Sequence, residues 1–487
     1  MSLKVYNTLT KRKEDFVPQE PGKVRFYACG PTVYDYFHIG NARPFVVFDV
    51  FRRFLMYRGY QVIYAVNITD VDDKIIKKAN NEGVSIREVT QRYARAYLED
   101  IYKLRILPPD VNPRATAHID EMIELIRKLF ENGYAYEVDG DVYYDVGRFK
   151  DYGKLSGKKI DELQSGARIE VDERKHNPLD FALWKSARPD EPWWESPWGN
   201  GRPGWHIECS TMSMKYLGST LDIHAGGEDL IFPHHENEIA QSEAATGKPF
   251  ARYWMHNGFL QIRGEKMSKS LGNFLTAREV VKRHKPEAVR LFFLQKHYRS
   301  PINYSEEILS ETENALMRLK HVLENIERTL EGKKLSEIEE KDLTGPEKQR
   351  WESLQKNRLR FIQEMEDDFN TAGAVGQLFE MAKIANRILE EEELSENNQK
   401  ILKFIHRTFH EFDSFLSLFG AEEETGVETG TFNQLVNILV QIRNDLRAKK
   451  EWALADEIRN KLMESGILIE DRKDGTSWKP VKKNKNN

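Results

Sequence analysis

Two cysteines stand in this 487-residue chain, and each lies in a stretch whose neighbours could do chemistry. Cys29 ends the β-like run Val24-Arg25-Phe26-Tyr27-Ala28-Cys29, directly before Gly30-Pro31-Thr32. Cys209 lies in Gly204-Trp205-His206-Ile207-Glu208-Cys209, and Phe232-Pro233-His234-His235-Glu236-Asn237-Glu238 follows shortly after. Two thiols, an imidazole and a carboxylate make a four-ligand zinc set, because Zn²⁺ accepts sulfur, nitrogen and oxygen together. An isolated cysteine is more often a small buried hydrophobe. Here the neighbouring motifs reverse that reading. Spacing does not choose between His234 and His235, since i,i+4 and i,i+3 relations both bring an imidazole to the helix face of Glu238.

The elements that must position these groups read as α/β at the start. A strand ending at Cys29 leads through a Gly/Pro loop to a helix opened by Pro44 and closed near Gly59. The β-rich run Gln61 to Val66 follows, then the polar turn Asn67-Ile68-Thr69-Asp70-Val71-Asp72-Asp73. Strand–helix–strand of this size is a parallel βαβ unit whose ligands bind at the carboxyl ends of strands, where Cys29 and Thr69 fall. From about Pro108 to Pro203 helical stretches alternate with an Asp139-Gly140 hairpin signal and a Trp/Pro-rich segment, Trp193 to Trp198. This is an insertion between two halves of the α/β domain. A second βα element resumes with Leu221-Asp222-Ile223-His224, the turn Ala225-Gly226-Gly227-Glu228-Asp229 and a helix from about Pro233.

From Ser305 to about Gly420 Leu, Ile and Phe recur at helical spacing among charges, which predicts a helix bundle. Ala421 to Gly430 reads as a linker. Two helices and a short strand, Ile467 to Glu470, form a small terminal module, and the Lys/Asn tail after Pro480 reads as disordered. The expected division is 1–110 and 204–260 for the two halves of the α/β domain and 111–203 for the insertion. Residues 261–304 form a junction with a lysine loop, 305–420 the bundle and 431–487 the terminal module.

Composition narrows the class. At 487 residues the chain is too long for one core, and 40% hydrophobic with 31% charged residues suits a soluble protein. A basic-then-apolar leader is lacking, as is an apolar run of about 18 residues, so nothing points to secretion or a membrane and a cytoplasmic protein is expected. In a reducing compartment two distant cysteines suit metal ligation better than a disulfide. With a net charge of −5 the chain has no global basic field, so any RNA contact must use local patches.

Two further motifs suit phosphate. His38-Ile39-Gly40-Asn41 precedes the first helix, where a helix N-terminus favours anions and Gly40 permits close backbone approach. Lys266-Met267-Ser268-Lys269-Ser270 offers two cations on a Gly-flanked loop that can fold over a triphosphate. Each alone is weak. In this order, divided by the rest of an α/β domain, they resemble the paired signatures of class I aminoacyl-tRNA synthetases, with Asn41 standing where the first signature ends in a second His. Asn donates a hydrogen bond but carries no charge.

Within that class the surrounding residues resemble the cysteinyl-tRNA synthetase family from about Leu3 to Trp478. The matching stretches run Tyr27 to Asp35, Asn67 to Lys74, Asn177 to Lys185, Gly204 to Ser210 and Asp222 to Glu238. The resemblance implies a Rossmann-type catalytic domain with an inserted α+β segment, then a helix bundle and a small mixed C-terminal module. It implies one zinc per chain on Cys29, Cys209, His234 and Glu238, and a cysteine pocket lined by Cys29, Thr69, Trp205 and His224. For ATP, accompanied by Mg²⁺, it implies Thr32, His38, Gly40, Asn41, Gly226, Gly227, Asp229, Lys266 and Lys269. His38, Asn41, Lys266 and Lys269 would act on the reacting phosphate. Arg447, Trp452, Asp456 and Asp471 match the family's anticodon-reading region, where Arg and Asp reach base edges and Trp stacks. The expected partners are L-cysteine, ATP and the tRNA for cysteine, with the chain a monomer. Relatives that join cysteine to an amino-sugar without tRNA lack the terminal module, and the region after Gly430 argues against that activity. An intact Lys266 to Ser270 argues against a zinc-stabilised RNA-binding protein without catalysis.

Overall fold

A parallel sheet carries the first half of the chain. The computed structural model describes residues 2–158, 174–189, 191–262, 265–266, 275–420, 429–465, 467–472 and 475–480. A hairpin, β1 (Lys4–Asn7) and β2 (Arg12–Asp15), leads to β3 (Lys23–Ala28) and, after the Ile39–Tyr57 helix, to β4 (Gln61–Val66), which pairs with β3 in parallel. Alternate residues of β3 serve opposite faces, as a two-residue period requires. Phe26 and Ala28 join Phe48 and Phe51 of the Ile39–Tyr57 helix in one core, while Tyr27 joins Ile207 and Met212 in another. A sheet covered on both faces explains why its strands are nearly continuous apolar runs.

The Ile39–Tyr57 helix begins five residues before the expected Pro44 start. His38 is its N-cap: the Asn41 backbone N–H donates to His38 Nδ1 at 3.1 Å. Pro44 lies inside the helix, where its missing N–H removes only the bond to the Gly40 carbonyl near the N-terminus. Two helices, Asp73–Glu82 and Ile86–Lys103, follow β4, the second opened by a reciprocal Ser85/Glu88 capping box.

The inserted segment holds a helix, Ile119–Glu131, and an antiparallel sheet in the order β5 (Ala135–Val138), β6 (Asp141–Tyr144), β7 (Phe181–Ser186), β8 (Gly201–Pro203). Asp139 and Gly140, at φ of 53° and 83°, form the β5–β6 turn, since a two-residue hairpin loop needs that left-handed pair. β8 runs directly into the Trp205–Leu217 helix, then β9 (Leu221–Gly227). A wide turn, Ile231–His235, precedes the helix expected from about Pro233, which starts at Glu236 and ends at Thr246. β10 (Ala251–Asn257) completes a four-stranded parallel sheet in the order β10-β9-β3-β4. A small sheet of β11 (Leu260–Ile262), β12 (Glu265–Lys266) and β13 (Ile302–Tyr304) follows.

Four long helices, Glu306–Leu330, Gly345–Glu366, Thr371–Leu389 and Glu396–Leu416, make the bundle. Their core is continuous with that of the sheet: Phe369 stacks on Phe51 at 4.0 Å, and Phe415 meets Phe54 edge-on. Arg290, fully buried in the Pro286–Leu294 helix, links three parts at once. It pairs with Asp49 at 2.8 Å, donates to the Leu104 carbonyl and donates twice to the Leu416 carbonyl at the bundle end. Residues 1–419 form one compact unit.

The second unit spans 420–487. Within it the helices Thr429–Ala448 and Trp452–Glu464 pack over an antiparallel hairpin, β14 (Ile467–Arg472) and β15 (Gly475–Pro480), around Val436, Val440, Leu462, Ile467 and Ile469. The expected strand Ile467 to Glu470 is therefore two residues longer and has a partner strand. Residues 421–428 of the expected linker and the tail 481–487 lie outside the described residues. Among the described residues no helix is long and apolar enough to cross a membrane.

Arg290→Met should destabilise the first unit by about 3 kcal/mol, because Asp49 and the Leu416 carbonyl lose a buried partner. The check is the urea midpoint followed by tryptophan fluorescence. An unchanged midpoint would remove this link from the account.

Candidate active site

β3 connects to β4 on one side, while β9 and β10 continue on the other, so the strand order reverses between β3 and β9. In open parallel sheets the crevice outside the strand ends at such a reversal is where ligands bind. Cys29 follows β3 there, held by its N–H donating to the Ala225 carbonyl of β9 at 3.2 Å. The next residue has to be glycine: a Cβ on Gly30 would stand 1.6 Å from the Asn67 carbonyl oxygen.

Four side chains from four segments converge on this point. Cys29 Sγ lies 3.9 Å from Cys209 Sγ, which comes from the Trp205–Leu217 helix, and 3.6 Å from Glu238 Oε1. Glu238 Oε1 lies 3.1 Å from His234 Nε2, and its other oxygen accepts from His224 Nε2 at 2.8 Å. Cys209, His234 and Glu238 are essentially without solvent contact. One ligand atom each from Cys29, Cys209, His234 and Glu238 fall within 4.8 Å of one another. A second set, Cys29, His224, His235 and Glu238, meets the same distance, with Cys29 Sγ 3.3 Å from His235 Nε2. The ambiguity between His234 and His235 left by spacing is thus present in three dimensions as well.

The imidazoles are oriented from behind. His206 Nδ1 sits 2.9 Å from His234 Nδ1, which leaves His234 Nε2 directed at Glu238. His256 Nε2 sits 2.8 Å from His235 Nδ1 in the same manner. Burial pulls His206 and His256 down to about 3 and holds His234 and His235 well below the ordinary range, so these rings are neutral and ligand-ready. Burial, then the contact with Cys209, pushes the Cys29 thiol well above its usual range. A thiol, a second thiol, neutral imidazole and a buried carboxylate fit a divalent, borderline-soft cation, whose charge reverses the penalty on thiolate.

A hydrogen-bonded relay joins the flanks of the two thiols. Gly30 N–H donates to Asn67 Oδ1 at 2.7 Å, Asn67 Nδ2 donates to Thr69 Oγ1 at 3.1 Å, and Thr69 Oγ1 donates to Glu208 Oε2 at 2.9 Å. Its ends are the residue after Cys29 and the residue before Cys209. Burial raises the Glu208 carboxyl well above the usual range. Glu208 was not among the expected site residues. The available signal was an acidic residue beside Cys209 in a segment apolar enough to be buried. Trp205 stacks on the His234 ring at 4.2 Å and, with Phe181, His206, Glu208, Lys185 and Arg202, lines a recess of ≈ 320 Å³.

The first phosphate-type motif is fastened to residues 275–277, which follow the lysine motif in sequence. His38 caps the Ile39–Tyr57 helix and forms a β-bridge with Thr276, while Ile39 N–H donates to the Leu275 carbonyl and Ala277 N–H to the Phe37 carbonyl. The stem that follows the lysine loop is therefore fastened beside His38. Lys269 lies outside the described residues, and Lys266 is described only as part of β12. Gly226 and Gly227 end β9, and a Cβ on Gly227 would stand 2.5 Å from Asp229 Oδ1, so that carboxylate lies against bare backbone. Thr32 bridges to Thr69 between the two motifs.

In the second unit Trp452 and Asp456 are exposed, one helical turn apart on the Trp452–Glu464 helix, and Arg447 is half-buried near the end of the Thr429–Ala448 helix. Asp471 lies in β14, its side chain outside the description. The residues assigned to ATP and cysteine fall within the range of the first unit, and these four within that of the second.

Known proteins give the arrangement its place. The family described as tRNA synthetases class I (C) catalytic domain matches residues 15–314, a DALR domain matches 360–420, and the cysteinyl-tRNA ligase anticodon binding domain matches 430–478. The cysteine–tRNA ligase of Anoxybacillus flavithermus is 51% identical over 479 residues, covering 98% of this chain and 100% of the relative. That of Thermococcus gammatolerans is 50% identical over 484 residues, covering 99% and 100%. Among solved structures, Mycobacterium tuberculosis methionyl-tRNA synthetase in complex with methionyl-adenylate aligns at a TM-score of 0.59, 17% identity, and 81% and 90% coverage. The Agrobacterium radiobacter LeuRS–tRNA–LeuAMS complex aligns at 0.62, 12% identity, and 84% and 87% coverage. These two share the fold. With the catalytic domain matched across the sheet and its insertion, and curated relatives alike from end to end, the chain is a ligase and belongs to the cysteine–tRNA ligase family of class I aminoacyl-tRNA synthetases.

Proposed function

We propose that this ligase activates cysteine with ATP and passes it to the 3′-terminal adenosine of the tRNA for cysteine. The cysteine carboxylate attacks the α-phosphate in line, forming cysteinyl-adenylate and releasing pyrophosphate. A terminal ribose hydroxyl then attacks the adenylate carbonyl and AMP leaves. Neither step needs a protein nucleophile. Both need reactants held in position and charge compensated as it moves.

In this reading the triphosphate lies along Thr32, Gly40 and the helix N-terminus, where backbone N–H groups and the helix dipole favour anions. His38 and Asn41 donate toward the reacting phosphate, and Lys266 and Lys269 neutralise charge moving onto pyrophosphate, with Mg²⁺ accompanying ATP. Asp229 accepts from the ribose while Gly226 and Gly227 let the adenosine approach the β9 end. Thr69, Trp205 and His224 enclose the amino acid, with His224 also steadying the Glu238 carboxylate it touches. One zinc on Cys29, Cys209, His234 and Glu238 would supply a soft anchor that takes a thiol as thiolate and an alcohol far less readily. Shape alone separates cysteine from serine poorly, since they differ by one atom. Residues 431–487 take the anticodon, with Arg447, Asp456 and Asp471 on base edges and Trp452 stacking. Free thiols suit work in the reducing cytoplasm.

The observation that carries this reading is the approach of both thiols, a buried imidazole and a buried carboxylate at the switch point of the sheet. The test is cysteine-dependent ATP–pyrophosphate exchange followed by charging of the tRNA for cysteine. Wild type should exchange with cysteine and not with serine, and Cys209→Ser should lose zinc and raise the KM for cysteine. Equal exchange with serine, or full zinc and unchanged KM in Cys209→Ser, would contradict the assignment.

Lys269→Ala should slow adenylate formation by about 10²–10³-fold, the range seen when one preorganised charge-stabilising donor is removed. The KM for cysteine should barely change, because the contact strengthens in the transition state. Rapid-quench pyrophosphate release reads this directly, and a wild-type rate would take Lys269 out of the mechanism.

A further inference from the structure

Away from the crevice, two imidazoles and a carboxylate meet on the surface of the bundle. His406 and His410 lie one turn apart on the Glu396–Leu416 helix, and Glu327 comes from the neighbouring Glu306–Leu330 helix. His406 Nε2 is 2.9 Å from Glu327 Oε1 and 3.1 Å from His410 Nε2. The three ligand atoms lie within 4.8 Å of one another. The backbone beneath them is fixed, since Ile326, Ile405 and Phe409 are fully buried. Arg407, the nearest cation in sequence, is turned to Glu337 at 2.9 Å.

Protons serve this geometry only weakly, since a single His406 Nε2–H would have to be shared between Glu327 Oε1 and the His410 Nε2 lone pair. A ring nitrogen carries either a hydrogen or a lone pair. If His406 Nε2 is protonated and donates to Glu327, it has no lone pair for His410. If it is unprotonated and accepts from His410, its lone pair faces a carboxylate oxygen. A cation placed among the three atoms accepts a lone pair from each. With metal–ligand distances of about 2.0–2.1 Å, the two separations subtend angles of roughly 90–100° at the ion, within the range that borderline divalent metals accept.

We propose that His406, His410 and Glu327 form a second metal site, distinct from the crevice, for a borderline divalent cation such as Zn²⁺. Two imidazoles and one carboxylate occupy one side of the ion, and water completes its open side. Imidazole donors select against Mg²⁺ and Ca²⁺, which take oxygen ligands. The ion cross-links two helices of the bundle, so its binding stabilises the folded state and thermal stability rises with free zinc.

The test is zinc content per chain after equilibration of the full-length protein at buffered, low-micromolar free zinc. The readout is the difference between wild type and His410→Ala, so zinc held in the crevice cancels. We expect the variant to hold one equivalent fewer, Glu327→Gln on the facing helix to lose the same equivalent, and both to keep ATP–pyrophosphate exchange. The zinc-dependent rise in Tm should shrink in both. Equal zinc content in wild type and His410→Ala, or an extra equivalent that appears only at millimolar zinc, would overturn the proposal. So would loss of that equivalent from His410→Ala but not from Glu327→Gln.

Discussion

A thiol buried among apolar side chains stays protonated unless a cation stands beside it, and much of the crevice is arranged around that constraint. Cys29 and Cys209 approach to 3.9 Å, a separation that two uncompensated thiolates could not hold at low dielectric. Burial holds the surrounding imidazoles neutral, so they offer lone pairs and no competing charge. The one carboxylate among them, Glu238, has an oxygen on each side: one toward the thiols and His234, the other on His224. A dication compensates such a set, and the cost of burying these groups is then recovered on binding.

Everything nearby fixes distances for that cluster. β3 delivers one thiol at the point where the strand order reverses, and the Trp205–Leu217 helix delivers the other from the opposite face of the sheet. The relay from Gly30 through Asn67 and Thr69 to Glu208 ties the two flanking backbones together, so hydrogen bonds within the protein help set the separation of the sulfurs. The His38 cap is bridged to Thr276, which holds residues 275–277 beside the first helix. The bundle backs this frame through Arg290, Phe369 and Phe415. A rigid frame suits chemistry that relies on positioning.

What could be read from the sequence follows the range of the forces involved. The βαβ unit, the Asp139-Gly140 hairpin and the bundle come from local periodicity and turn chemistry, which act over a few residues. Pro44 is a good helix opener locally, whereas the actual cap is the His38 ring, whose Nδ1 accepts from the Asn41 N–H. β15 was missed although Asp474-Gly475 carries a hairpin signal, because the segment is short and polar. The alternative set on His224 and His235, and the hydrogen bond from Thr69 that ties Glu208 into the site, could not be read, since they depend on which faces of separate elements meet. The contact of Glu327 with His406 spans 79 positions for the same reason.

The central claim, that the two-thiol cluster binds a metal which then takes the substrate sulfur, is tested most directly by X-ray absorption at the zinc edge of the purified enzyme. His410→Ala is the form to measure, so that the bundle site contributes no signal. The account predicts two sulfur ligands in the free enzyme, a third when cysteine is added, and no change with serine. A spectrum without protein sulfur, or one that cysteine leaves unaltered, would contradict it.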